Sequence, residues 1–548
     1  MAGIQAERRN RARRLRPERR LGPHLRGDER NSEEPASFWR RGEHAANVGA
    51  PPAGQGRPLG ETPLTDSTSL EAHGPSSVVD PPVIATVGGD AKLTRGGVSW
   101  SIFEGGRDPY VILMTIYIFM PYVASVMVGD PVRGQEVISR WQQYAGWIVM
   151  ATAPFLGASI DKLGRRKGLL ALLVAVMTPL IASLWWARPD STGLTITATM
   201  FIAMIANVLF SYTEVLHNSL LVRAAGLKGA HRASGLALSL GNGASVLALA
   251  FTAWAFALPG KVDWPFVPAA PLFGLDPAQH EPERVVALLA AGILLVGSIP
   301  LFLFTPDAPR SEIPVLTALR QGAADLWAML KTVRRYRDAV IYLASRMFFV
   351  DGMNGVLFFF GVLAAGVMKW GPLDLLITGI LLSILAVFGG FVGRWLDAGV
   401  GPKNALRIEI FMTVVGLIAL LGMAPDRILY FWSYDPAAHA PLWGGPVYRT
   451  WPDLIYLLIG FNNAVFITGQ YASSRTTLTR LTPPEQTGAF FGVYALSGVA
   501  TAWLAPSLVN IGTRLTHSQQ GGFASIVLLL VVGLVGLVFV RGAGRAAA

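Results

Sequence analysis

The sequence has few charged residues and no cysteine. Charged residues make up 15% of its 548 positions and hydrophobic residues 52%, whereas a soluble globular chain carries about 25% charged residues. A soluble enzyme of this length would divide into domains with charged surfaces, so this class is excluded. The absence of cysteine excludes a disulfide-stapled scaffold, a thiolate zinc site and an iron–sulfur cluster.

Sequence motifs of several enzyme classes are also missing. No His-x-Glu, Gly-x-Ser-x-Gly or Gly-x-x-x-x-Gly-Lys-Ser/Thr motif occurs, and these mark metallohydrolases, lipases and ATPases. We therefore expect neither enzymatic activity nor a metal or other cofactor. The formal net charge of +11 would favour nucleic acid as a partner of a soluble chain, but in a membrane protein Lys and Arg first determine topology.

Residues 1–95 differ in composition from the rest of the chain. Arg is concentrated between positions 8 and 20, and a run rich in Pro, Gly, Ser and Glu follows. Such a segment buries too little apolar surface to offset its ordering entropy, which predicts a disordered cytoplasmic tail. No apolar run of about 7–15 residues follows the basic start, so a secretory signal is not expected. The tail is interpreted as solvated or as a gene start placed too far upstream, and alternatively as a basic arm on anionic lipid headgroups.

Apolar runs dominate the remainder and predict an all-α polytopic membrane protein of about 12 transmembrane helices. Each run has the roughly 20 residues that cross about 30 Å of hydrocarbon as a helix, and the closed hydrogen bonding that lipid requires favours helices at this length. The predicted helices cover 109–129, 138–160, 168–187, 194–216, 234–258, 285–305, 339–367, 373–397, 404–424, 453–471, 486–512 and 521–541.

Lys and Arg are about twice as frequent in the loops on one side of these helices as on the other. By the positive-inside rule, this bias places both termini in the cytoplasm, and we expect a multi-pass protein of the inner cell membrane. Topology thus accounts for most of the positive charge, and no nucleic-acid partner is expected.

A long, basic and partly helical loop at 306–338 divides the helices into two sets of six. It is predicted to be a cytoplasmic central loop between an N-terminal half (96–305) and a C-terminal half (339–541), with a short cytoplasmic tail at 542–548. This is the layout of a two-halved transporter.

The two halves share a loop motif after their second helices. Gly157 is followed four residues later by Asp161, and Gly393 is followed in the same way by Asp397. A cation stands six residues after each acid. The basic residues of the two loops include Arg165, Arg166, Lys167 and Lys403. Topology alone is the alternative explanation of these charges, but the pattern occurs twice at corresponding loops.

This repeat resembles the signature loop of the major facilitator superfamily, with two pseudo-symmetric six-helix halves. Further motifs resemble one branch, the bacterial relatives of the autophagy-related fungal vacuolar amino-acid effluxer. The segments that carry this likeness are Trp100 to Tyr110, Arg346 to Gly352, Gln470 to Arg475, and Phe490 to Tyr494. The resemblance covers about 98–540. It implies alternating access, an amino acid or another small polar metabolite as cargo, and an acid of each loop that latches the cytoplasmic side.

The sequence departs from the pattern of that branch at three places. Glu104 stands where the branch usually has Asp, Arg107 where it usually has Asn, and Ala505-Pro506 where it often has Gly-Pro. The first two lie near the expected permeation path, so the cargo does not transfer directly from the family.

Ionisable residues inside spanning helices are candidate functional residues because their burial in lipid is costly. Asp351 lies about 12 residues, or about 18 Å, into its predicted helix, close to the midplane, and Asn354 shares its face. Asp351 is predicted to act on substrate or protons, or alternatively to pair with Arg346. Asp108 occupies a similar position in the first half and is its candidate symmetry partner, or alternatively part of an ion-pair cluster with Glu104 and Arg107.

Amide side chains add further candidates for the pathway. Asn462, Asn463 and Gln470 offer donors and acceptors to a polar solute, or alternatively hydrogen bonds between helices. Glu214 and Arg346 are predicted to form structural ion pairs.

Taken together, the sequence predicts a secondary transporter that acts as a monomer. Its expected partners are the lipid bilayer, a small polar solute and protons. The competing hypothesis is a receptor or scaffold built on a transporter fold. A titratable midplane acid favours transport, and a fully paired core favours the scaffold.

Overall fold

The computed structural model describes residues 92–189, 192–309, 313–483 and 487–542. The predicted tail up to residue 91 and the last six residues of the chain lie outside these ranges.

The first half contains six long helices. They are α1 (Arg95–Met127), α2 (Pro131–Leu163), α3 (Lys167–Ser183), α4 (Ile196–Gly226), α5 (Lys228–Ala257) and α6 (Glu281–Phe304). An amphipathic helix, α7 (Val315–Val333), follows in the central loop. Its hydrophobic side packs under α2, where Lys162 forms an ion pair with Asp325.

The second half repeats the pattern. Its helices are α8 (Arg337–Val367), α9 (Pro372–Val400), α10 (Pro402–Leu421), α11 (Trp451–Leu481), α12 (Phe490–Thr516) and α13 (Gln519–Val538). A short antiparallel hairpin, β1 (Arg427–Ile428) and β2 (Trp432–Ser433), lies in the loop between α10 and α11. The fold is therefore the predicted all-α polytopic one.

Eleven helices in the described ranges are long and apolar enough to cross a membrane. The remaining predicted span, α2, has 33 residues, but polar side chains occupy its first half. Several of these side chains face the second half of the protein rather than lipid, as described below.

The helices extend beyond the predicted apolar runs. Helix α1 begins at Arg95 instead of 109, and α11 continues to Leu481 instead of 471. The predicted start of α1 was wrong. Arg107 pairs with both Glu104 and Asp108 inside the helix, so these charges do not end it.

Two backbone features interrupt the helices. Gly226 separates α4 from α5. Its φ of +70° is a conformation that residues with a side chain rarely adopt. Helix α12 is broken between Val499 and Leu504, where its second segment, Leu504–Thr516, begins. Such a break exposes backbone N–H groups that need partners within the protein.

Helices α1 and α8 form the centre of the bundle. In their apolar stretches, 78% and 72% of residues are buried, compared with 28–50% in the other spans. Helix α1 packs against α4, α5 and α6, and α8 packs against α13. These are the first helices of the two halves, so the interior has the expected two-fold pattern.

The halves are tied together at one face, where α1 leads into α2 and α12 into α13; we call it the α1–α2 face. Gln135 donates to Thr513 Oγ1 (2.8 Å) and to the carbonyl of Gln519 (3.0 Å). Asn510 donates to the carbonyl of Glu136 (2.8 Å). These bonds join α2 to α12 and α13, so the structure is closed at this face.

Candidate functional site

The first half contributes an ionic cluster centred on Arg107 of α1. Its guanidinium lies 2.8 Å from Glu104, 3.8 Å from Asp108 and 3.6 Å from Glu214 of α4. Arg107 is buried, and its guanidinium also covers the ring of Phe210 at 4.4 Å. Three acids thus surround one arginine, and the cluster carries excess negative charge unless a proton or a cation joins it.

His217 of α4 completes this cluster. Its Nδ1 lies 3.2 Å from Glu104, its Nε2 lies 2.8 Å from the carbonyl of Trp100, and its ring stacks on Trp100 at 4.2 Å. When the imidazole is neutral and donates to that carbonyl through Nε2–H, its Nδ1 is an acceptor that faces Glu104. Nδ1 and a charged Glu104 are then both acceptors, so a hydrogen bond between them requires one more proton. His217 therefore extends the cluster from Glu104 to Trp100.

Glu214 is the most exposed member of the cluster. Its side chain is 52% exposed, and Tyr471 of α11 in the second half is also exposed. Glu214 pairs with Arg107 of α1, whereas a basic loop residue was the expected partner. We call the accessible region between these helices the central cleft and define it by Asp108, Glu214, Asn354 and Tyr471.

Arg346 of α8 presents a cation on the opposite side. Its Nη1 donates to the carbonyl of Tyr494 (2.6 Å) and to Ser497 Oγ (2.7 Å), and its guanidinium stacks on Tyr494 at 3.5 Å. In the described part of the chain no carboxylate lies within 4 Å of it. The predicted pair with Asp351 is thus wrong: Arg346 is neutralised by carbonyl and ring contacts only.

Asp351 has a different partner. Its side chain is buried, and its Oδ2 accepts a hydrogen bond from the backbone N–H of Ala505 (2.6 Å). Ala505 lies in the first turn of the second segment of α12, so Asp351 satisfies one N–H that the break leaves open. A carboxylate at a helix N-terminus is also favoured by the helix dipole.

Asp108 and Asp351 occupy equivalent positions. A Cβ on Gly241 of α5 would lie 2.1 Å from Asp108 Oδ2, so this acid faces the fifth helix of its half. Asp351 likewise faces α12, the fifth helix of the second half. Each acid thus faces the fifth helix of its own half, and Asp108 is also part of the ionic cluster.

Asn354 and the three amides of α11 are placed differently. Asn354 is exposed and accepts a hydrogen bond from the Tyr471 hydroxyl (2.9 Å). Asn462 donates to the carbonyl of Met412 (3.0 Å) and Gln470 to Thr413 Oγ1 (2.6 Å), both on α10. Asn463 is buried beside Asn462. The structure thus brings Asn354 to the central cleft and directs Asn462, Asn463 and Gln470 toward α10.

The two repeated loops share one contact. Lys167 donates to the carbonyl of Thr305 (2.7 Å), at the end of α6, and Lys403 donates to the carbonyl of Val540 (2.9 Å), just beyond α13. Each cation therefore neutralises the carboxyl end of the last helix of its own half.

The other loop residues differ between the halves. The backbone N–H of Arg166 binds Asp307 (2.9 Å), and Arg165 is exposed. Gly157 lies in α2 near Val215. Asp161 lies in the last turn of α2, and the structure describes only its backbone. Asp397 accepts a hydrogen bond from Ser473 of α11 (2.7 Å).

Sequence reasoning missed His217, Tyr471 and Glu409 as polar residues of the interior. His217 follows Glu214 by three positions, a spacing that places both on one helix face and could have drawn attention to it. Glu409 is an ionisable residue inside the predicted span 404–424, so the criterion applied to Asp351 could have found it. Tyr471 has no comparable local signal, because its partner comes from a distant helix.

Comparison with known proteins identifies relatives. The family described as "Vacuole effluxer Atg22 like" matches residues 145–545. An uncharacterized MFS-type transporter of Bacillus subtilis, YxiO, is 20% identical over 469 residues, which cover 82% of this chain and 95% of that protein. Autophagy-related protein 22 of Yarrowia lipolytica is 22% identical over 267 residues, 45% of this chain and 42% of the fungal protein.

Solved structures show the same architecture. The nucleoside transporter NupG aligns with a TM-score of 0.54 at 11% identity, over 82% of this chain and 99% of that chain. A D-xylose-proton symporter aligns with a TM-score of 0.50 at 14% identity, over 82% and 97%. At these identities the likeness shows the fold alone. With the family match over residues 145–545, it follows that the chain belongs to the vacuole effluxer Atg22-like family and is a membrane transporter of the major facilitator fold.

Proposed function

We propose that the protein is a proton-coupled secondary transporter that exports a small polar solute, with amino acids as the expected class. The observation that carries this proposal is the arrangement of charges on the two halves. Arg346 of the second half has no carboxylate partner in the described residues, and the first half presents Glu104, Asp108 and Glu214 around one arginine. A zwitterion has the complementary charges, since its carboxylate fits the guanidinium and its ammonium fits the acids.

The hydrogen bonds between the halves at the α1–α2 face support alternating access. The bonds of Gln135 and Asn510 join the halves at the α1–α2 face. Under the orientation inferred from Lys and Arg, with both termini in the cytoplasm of the inner membrane, this face is external. The arrangement is that of an inward-facing carrier with its site near the midplane.

Proton coupling is assigned to Asp351, with Asp108 as its symmetry partner. A carboxylate binds the Ala505 N–H more strongly than a neutral carboxyl does, because hydrogen bonds to charged groups are stronger. Protonation of Asp351 therefore loosens the contact between α8 and the second segment of α12. This links a proton to the helix that also carries the contacts at the α1–α2 face.

The repeated loops are proposed as conformational latches of the cytoplasmic side. Asp161 and Asp397 would hold the helix ends there in the outward-facing state, as the superfamily resemblance implies. Cysteines introduced on that side should label faster when either acid is replaced by Ala, and unchanged labelling in both variants would contradict the latch.

The test of the proposed function uses purified protein, which we propose to be a monomer, in liposomes. A pH gradient should drive accumulation of a radiolabelled amino acid, and a protonophore should abolish it. Solute flux that ignores the gradient would refute proton coupling, and failure of every amino acid to exchange would refute the solute class. The matching family is described as a vacuole effluxer family, and this description supports export as the direction of transport.

A further inference from the structure

Glu409 of α10 is a buried acid that the proposed transport path does not use. Its side chain has no exposed surface, and no ion pair to it forms within the described ranges. The Lys and Arg residues of its own helix point elsewhere, since Lys403 binds the carbonyl of Val540 and Arg407 that of Leu537. An unpaired carboxylate in such a position is costly, so the group needs a proton or another ligand.

The surroundings of Glu409 form a fitted recess between three helices. A Cβ on Gly469 of α11 would lie 2.6 Å from Glu409 Oε1, and one on Gly393 of α9 would lie 3.3 Å from the same atom. Gly393 is the glycine of the second repeated loop motif, so the motif makes room for this carboxyl.

A single hydroxyl joins Glu409 to a second acid. Ser473 Oγ lies 3.0 Å from Glu409 Oε1 and 2.7 Å from Asp397 Oδ1. A serine hydroxyl carries one proton and donates one hydrogen bond. When it donates to Asp397, the contact with Glu409 is a hydrogen bond only if Glu409 carries the donor proton. Asp397 is partly exposed, so water can hydrate it as the charged member of the pair.

Two unsatisfied polar atoms mark the same place. Glu409 Oε2 is buried without a hydrogen-bond partner, and so is Oε1 of Gln470, a fully buried side chain. The Gln470 amide is directed at Glu409, because its Nε2 contacts the backbone carbonyl of that residue (3.3 Å). Both atoms are acceptors without a donor in the described residues, so no second donor stabilises a charged Glu409 at Oε2.

We propose that Glu409 is a proton-binding site of the second half, with the proton donated to Ser473 and relayed to Asp397. The charged groups around it are few. Asp397 is the charged group that acts on Glu409 from α9, and α13 carries no charged residue between Gln519 and Val538. Arg475 and Arg480 of α11 form no ion pair with Glu409 in the described chain. The site is separate from Asp351 and does not depend on its role.

Infrared difference spectroscopy of the purified, reconstituted protein tests this proposal. Wild type at neutral pH should show the C=O band of a protonated carboxyl that shifts in deuterated water. Glu409→Gln keeps the shape and the donor to Ser473, and it should lack this band while retaining the thermal stability of wild type. Asp351→Asn is the matched control and should keep the band.

Ser473→Ala supplies a second measurement. It removes the relay without touching the acid, so the band of Glu409 should remain but move in frequency, because its hydrogen-bond acceptor is gone. A Glu409→Gln spectrum identical to that of wild type would overturn the proposal. Loss of the band on adding sodium ions at constant pH would also overturn it, since the recess would then bind a cation. Either result leaves the assignment of coupling to Asp351 untouched.

Discussion

At the scale of single residues, partners decide what an interior charge can do. Asp351, Arg346 and Glu409 are all buried polar groups of the second half, but they have three different partners: a backbone N–H, carbonyl and aromatic groups, and a serine hydroxyl. Only the first two have a role in the proposed transport mechanism. Substitutions that keep shape but change charge separate these roles.

Asp351→Asn should abolish accumulation driven by a pH gradient and leave solute exchange intact. The amide retains an oxygen that accepts from Ala505 but cannot exchange a proton. Asp351→Ala is the structural control: it leaves that N–H unsatisfied and should lower the free energy of unfolding by about 1–3 kcal/mol. Gradient-driven uptake and counterflow in liposomes are the measurements. If the Asn variant accumulates solute at the wild-type rate, Asp351 only caps the helix and Asp108 becomes the candidate.

Arg346→Gln should weaken binding of a carboxylate-bearing solute by roughly 10- to 100-fold, the loss expected for a charged hydrogen bond of about 1.5–3 kcal/mol. Binding of the corresponding amine without a carboxylate should change little. Arg407→Gln is the matched control, because that guanidinium bonds to the carbonyl of Leu537 away from the cleft. Solute-dependent thermal stabilisation measures all three proteins. Equal losses for both solutes would show that Arg346 does not bind the carboxylate.

At the scale of helices, composition predicted most of the architecture. Apolar length predicted most of the spans, because crossing lipid requires about 20 apolar residues whatever the partners are, and eleven helices in the described ranges meet this requirement. Helix ends and side-chain partners were not predictable in this way. Helix α1 runs through Glu104, Arg107 and Asp108 because those charges pair. Asn462 and Gln470 point toward α10 because that helix, distant in sequence, supplies their hydrogen-bond acceptors.

Contact between α1 and α6 gives a prediction with an internal control. A Cβ on Gly297 would lie 2.4 Å from Gly106 Cα, whereas one on Gly292 of the same helix meets nothing within 4 Å. Gly297→Val should therefore destabilise the protein by about 1–3 kcal/mol or more through overpacking. Gly292→Val should leave the melting temperature within about one degree of wild type, since surface changes are nearly neutral. Similar melting curves for the two variants would mean that α1 and α6 are not in backbone contact.

At the scale of the whole molecule, the two halves meet through few polar contacts at one face. Gln135, Asn510 and Gln519 make these bonds, and the polar first half of α2 supplies one side of them. Hydrogen bonds that exchange with water contribute only about 0.5–1.5 kcal/mol each, so a few of them can break when the halves rock. The same polarity that lowers the hydropathy of α2 thus fits a face that opens and closes.

A cross-link at this face tests whether it must open. The chain has no cysteine, so Gln135→Cys with Thr513→Cys places the only two thiols where the native side chains are 2.8 Å apart. Oxidation, or a short bis-thiosulfonate reagent because Gln reaches further than Cys, should link α2 to α12, stop transport, and be reversed by a reductant. Ser99→Cys with Thr305→Cys is the control, because these side chains are also 2.8 Å apart but both belong to the first half. Its oxidised form should transport normally, since each half moves as a unit in rocking. Full activity of the oxidised Gln135–Thr513 pair, with the cross-link verified by mass spectrometry, would exclude opening at the α1–α2 face as a step of transport.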